Sequence, residues 1–272
     1  MHVHGPEYWD CEADKGRHNA GLFRFATQGL LRFLWVLDDG SKKLRGISGA
    51  EIEALTGPGP NGEPPALRPG DCLINGGGGD PSHVALYTGT DENGRAMIIH
   101  AMATNNEGRS RLQRLNDILT LPVTESKTGV LYEPLAEFFD RYHRDTVIIT
   151  RWPALTPAQI EKGLARAHEL IGEGYDYKLN PGTVGVYCTE VFLEFLRAAL
   201  DNDRARLPYM GTSYYSHGTP LRTIGVETNI CEPAHVAASP HMEIGAMLGN
   251  GAAALESIRR THVLGPNAAR KL

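Results

Sequence analysis

Cys188, His83 and His100 are the side chains of this 272-residue sequence whose types and surroundings suit covalent chemistry. Cys188 opens the apolar stretch Tyr187-Cys188-Thr189-Glu190-Val191-Phe192-Leu193, which reads as the start of a helix running to about Leu200. Free backbone N–H groups and the positive end of the helix dipole stabilise a thiolate in that first turn. A nearby imidazole adds a thiolate–imidazolium pair, and a third polar residue then holds the ring in place. His83 stands in Ser82-His83-Val84-Ala85-Leu86-Tyr87-Thr88-Gly89 and His100 in Ile98-Ile99-His100-Ala101. The three residues fill the roles of nucleophile, base and orienting group if the strand register turns both rings towards the helix.

The elements that must position them are legible as changes of periodicity. Asp71-Cys72-Leu73-Ile74, Val84 to Thr88 and Ala96 to His100 are short apolar runs bounded by Gly, Pro, Asp and Asn, the pattern of antiparallel strands. Asn93-Gly94 supplies the positive-φ residues of a tight turn, so the two histidine strands form a hairpin. Val147 to Trp152 offers a further strand. Thr156 caps a helix to about Ile171, with Pro157 at its first position, and Ser48 with Glu51 has the spacing of a capping box for a short helix ending near Gly57. Apolar residues from Leu22 to Leu37 recur at the helical period, predicting an amphipathic helix over 19–37. The Pro/Gly stretch Gly57 to Pro65 separates this lead-in from the strands. The tail after Gly249 reads as a helix with a frayed end.

Five segments in order resemble the circularly permuted papain-like hydrolases of the NlpC type, in their YiiX/YebB-like branch: Leu67 to Ile74, Ser82 to Gly89, Ile98 to Ala101, Gly174-Tyr175-Asp176-Tyr177 and Tyr187 to Val191. Glu232 to Pro240 is similar to that branch's closing segment. The resemblance implies an α+β fold in which a small antiparallel sheet packs on the helix carrying the cysteine, with an N-terminal helical extension. It divides the chain into 1–66, a hydrolase domain over 67–245, and a tail over 246–272. It makes Cys188 the nucleophile, His83 the base and His100 the orienting residue, and puts Tyr175, Tyr187 and Ser82 on the substrate side. His100 stands where that branch often has a carboxylate, whereas lecithin:retinol acyltransferase-like relatives have a second histidine. The implied activity is therefore a cysteine amidase or peptidase with short cell-wall peptides as candidate substrates, or an acyl-lipid or thioester hydrolase or transferase. A non-catalytic binding module on the same fold predicts instead that Cys188 is buried and unreactive.

Composition narrows the partners. With 27 Lys and Arg against 32 Asp and Glu, a formal charge of -5 and no basic run with interleaved aromatics, no nucleic-acid track is expected. The Leu22–Leu37 segment contains Arg24, Gln28 and Arg32 and is shorter than the roughly 20 residues that cross a bilayer. The first residues lack a signal-peptide pattern, so cytoplasmic synthesis is expected, with export as an effector by a signal-independent machine left open. No CxxC pair occurs among the four cysteines, and Cys72 and Cys231 read as structural. Gly76 to Gly79 lacks the Lys-Ser or Lys-Thr of a phosphate loop. The spacing of Cys188, His83 and His100 does not favour zinc over a triad. No metal and no cofactor is expected.

Overall fold

The computed structural model describes residues 46–77, 80–102, 129–142, 144–175, 185–201, 213–214, 227–228, 233–239 and 241–259. The helix expected over 19–37 lies outside them. Eight strands occur in the described residues: β1 (Cys72–Gly77), β2 (Asp80–Thr90), β3 (Ala96–Met102), β4 (Gly129–Pro134), β5 (Thr146–Arg151), β6 (Ser213–Tyr214), β7 (Glu227–Thr228) and β8 (Glu243–Gly249). The helices are α1 (Gly49–Glu53), α2 (Leu135–Tyr142), α3 (Pro157–Glu169), α4 (Cys188–Ala199), α5 (Pro233–Ala238) and α6 (Gly251–Ile258). The architecture is α+β, built on a six-stranded antiparallel sheet in the order β4-β3-β2-β1-β5-β8, with β6 and β7 paired apart from it.

Local chemistry fixes several of these elements. Gly94 in the β2–β3 turn has φ +77°, a conformation that Gly adopts without steric penalty. Thr156 accepts from the Gln159 N–H, closing a capping box at the start of α3, and Ser48 with Glu51 does the same for α1. Helices α3 and α4 touch closely because Gly163 has no side chain: a Cβ there would lie 2.5 Å from the Phe195 ring.

Apolar residues sit at consecutive positions in the central strands, not alternate ones, because both faces of the sheet are covered. On one face Ile74, Val84, Leu86 and Ile99 pack with Val191, Phe192 and Phe195 of α4. On the other, Leu73, Ala85, Tyr87 and Ile98 pack with Leu135, Phe138 and Phe139 of α2 and with Ile47 and Ile52 of the lead-in. The sheet is therefore larger than the sequence suggested and has a second helical layer, α2. Nor does residue 245 end the sheet, since β8 runs through it and pairs with β5. An ion pair ties the lead-in to the sheet: Arg151 donates to Asp71 from Nε (3.1 Å) and Nη2 (2.7 Å) and also to the Ala66 carbonyl.

Candidate functional site

β2 carries His83 immediately after a bulge. Asn75 of β1 pairs with His83 and Gly76 with Pro81, so Ser82 has no partner across the ladder. The pleat sends His83 to the α2 face, where its ring stacks on Phe138 at 5.6 Å between centroids. His100 projects from β3 to the same face and meets Phe138 at 4.8 Å. On β4, Glu133 pairs with Ile98, two residues from His100, so its carboxylate shares that face as a diagonal neighbour.

These groups form a hydrogen-bonded series. His83 Nε2 lies 2.9 Å from His100 Nδ1, and His100 Nε2 lies 2.7 Å from Glu133 Oε1. The direction of each bond depends on which ring nitrogens carry protons. With Glu133 ionised and His100 neutral, His100 Nε2–H donates to Glu133 and the bare His100 Nδ1 accepts from His83 Nε2–H. In that arrangement His83 keeps an unprotonated Nδ1, which carries no hydrogen bond among the described residues. Burial is the main cause holding His83 well below the usual imidazole pKa, helped by His100 when that ring is protonated and by the Arg144 guanidinium. His83 is thus held in its neutral form. His83 retains 8% of its surface exposed and His100 none, while Gly77 and Ser82 at the adjoining end of the hairpin are exposed.

Cys188 is elsewhere. It begins α4 as expected, but its side chain joins the α4-side cluster with Val84, whereas His83 and His100 lie against Phe138 on the opposite face. The sheet stands between thiol and imidazoles, so the expected triad of Cys188, His83 and His100 is not assembled. The reason is parity: Val84, next to His83, is the residue whose N–H reaches the sulfur. Burial raises the Cys188 thiol pKa, and the N–H groups of Val84, Thr189 and Cys188 itself offset this only in part. Thr189 Oγ1, at 3.9 Å, is its nearby side-chain partner.

The substrate-side residues are divided in the same way. Tyr187 is buried beside Cys188, and its N–H donates to Glu190 Oε2 at 2.9 Å. Tyr175 bridges to Val186 and packs on the α4-side cluster. Ser82 is exposed at the bulge, next to His83. Four residues that sequence reasoning missed complete the imidazole site: Glu133, Phe138, Arg144 and Asn75. The run Val130-Leu131-Tyr132-Glu133 before an amphipathic helix was the available signal for the first two. Among the described residues, no group of three or more His, Cys, Asp or Glu is placed to hold a metal ion. No helix there is long and apolar enough to cross a membrane.

No family model matches the chain, and no curated protein matches it. Among solved structures it is similar to the metalloprotein YiiX from Escherichia coli O157:H7, with 16% identity over 66% of this chain and 97% of that one, and a TM-score of 0.44.

Proposed function

We propose that the chain is an acyl hydrolase working by general-base catalysis, in which His83 draws a proton from water while His100 and Glu133 stabilise the charge it gains. The observation that carries this reading is the buried series Glu133–His100–His83, linked by contacts of 2.7 and 2.9 Å. Two imidazoles buried in series are unfavourable to maintain, and such perturbed groups concentrate at reacting centres. The water oxygen bonds to the substrate carbonyl carbon as its proton passes to His83 Nδ1. The carbon–nitrogen or carbon–oxygen bond then breaks, and the same proton leaves on the amine or alcohol. Positive charge on His83 is shared along the hydrogen bonds towards Glu133. The order of sequence motifs that resembles permuted NlpC-type hydrolases supports an acyl substrate, with short peptides first and acyl lipids second.

A thiol hydrolase with Cys188 as nucleophile is the second reading, favoured by the three backbone amides around its sulfur. It needs a base on the α4 face. Turnover of a panel of short peptides, peptidoglycan fragments and phospholipids by His83→Asn and Cys188→Ala variants separates the two. Loss of at least about 10²-fold in His83→Asn with turnover kept in Cys188→Ala supports the relay. The reverse pattern supports the thiol, and no turnover by the wild type on any member supports a binding module.

A further inference from the structure

Asn75 is the polar residue that the relay leaves unused. It is fully buried in β1, directly across the ladder from His83, and neither its Nδ2 nor its Oδ1 has a hydrogen-bond partner among the described residues. Directly opposed residues of an antiparallel pair share a face with Cβ atoms about 5 Å apart. The Asn75 carboxamide and the His83 ring are therefore side by side under α2, and Val147, the partner of Asn75 on β5, belongs to the same core cluster. A buried carboxamide with both atoms unpaired is rare, because each lost bond goes uncompensated. A leucine, which has the same number of side-chain heavy atoms, carries no such penalty. Retaining the amide makes physical sense where a small polar ligand completes it.

We propose that Asn75 is a positioning residue that holds the nucleophilic water against His83. The water accepts from Asn75 Nδ2 and donates one proton to His83 Nδ1, which aims its remaining lone pair at an incoming carbonyl carbon. Water is the smallest ligand that can bridge two polar side chains, and two polar contacts are within the usual number for a buried water. This rests on the relay reading of the site: it names where the nucleophile waits before substrate arrives.

Two measurements on the full-length protein test it. The first is a crystal structure at high resolution, in which an ordered water is expected at about 3 Å from both Asn75 Nδ2 and His83 Nδ1. No water there overturns the inference. The second compares Asn75→Leu with the wild type in thermal melting and in kinetics. The expected result is a melting temperature equal to or above that of the wild type, with kcat lowered on the order of 10²-fold and KM within about twofold, because only the attack on a bound substrate is impaired. An unchanged kcat overturns the inference. Failure of the functional reading looks different: the water is present at Asn75 and His83, yet no acyl substrate is turned over.

Discussion

His83 and Cys188 lie on opposite faces of the central sheet, although the sulfur reaches the N–H of Val84, the very next residue to His83. Position on a strand and position on a face are different things. A base one residue away in the chain is a full sheet thickness away for chemistry.

Cys188 should accordingly behave as a structural thiol. Iodoacetamide is expected to alkylate it in the folded protein more slowly than in the denatured chain by on the order of 10²-fold, since burial disfavours the thiolate. His83→Asn is expected to leave that native rate unchanged. A fall in rate on removing His83 contradicts the separation.

Acid should destabilise the protein through His83. Its folded pKa is held below the unfolded value of about 6.5, so on acidification the unfolded chain binds the proton first. Stability is then present above about pH 6.5 and declines as pH falls, with a slope of at most about 1.4 kcal/mol per pH unit from this group. Urea unfolding at a series of pH values should show His83→Asn to be flatter than the wild type below pH 6.5. An equal slope in both counts against a neutral His83.

Glu133→Leu removes the terminal acceptor of the relay and leaves the fully buried His100 Nε2–H without that bond. A loss of about 1–3 kcal/mol in denaturant unfolding is expected, with turnover impaired as in His83→Asn. Glu133→Gln keeps an acceptor oxygen and should retain most of the stability while losing the charge. Equal stability of Glu133→Leu and the wild type contradicts a relay anchored at Glu133.

The Asp71–Arg151 pair gives a second pH test, independent of the site. Burial outweighs Arg151 and pushes the Asp71 pKa up to about 6. A folded pKa above the unfolded one means that Asp71 favours the native state most below about pH 4, and that this contribution fades as pH rises through 6. Without the guanidinium a buried carboxylate stands alone at pH 7, whereas at pH 5 it is protonated. Arg151→Met should therefore lose about 3 kcal/mol at pH 7 and clearly less at pH 5 by urea unfolding. Equal losses at both pH values refute this.

What was local in the sequence was legible. The runs at Cys72, Val84 and Ala96 became β1, β2 and β3, Asn93-Gly94 made the turn, and Thr156 and Tyr187 stand immediately before helices α3 and α4. The face of each histidine was not legible, because Val84-Ala85-Leu86-Tyr87 is apolar at both parities. A strand buried on both sides erases the alternation that would tell one face from the other. The bulge at Ser82 adds a further shift that no propensity reveals. Glu133 escaped notice because its partner His100 lies 33 positions away in the chain, and the α2 helix that closes the site was not recognised.

The tautomer of His83 tests the account most directly. A long-range proton–nitrogen NMR spectrum of the folded protein should show His83 neutral, protonated at Nε2 and bare at Nδ1, from about pH 8 down to below the ordinary histidine value of about 6.5. Protonation at Nδ1, or an imidazolium at pH 7, would mean that the series from Glu133 does not prepare a base, and the proposed mechanism would fail.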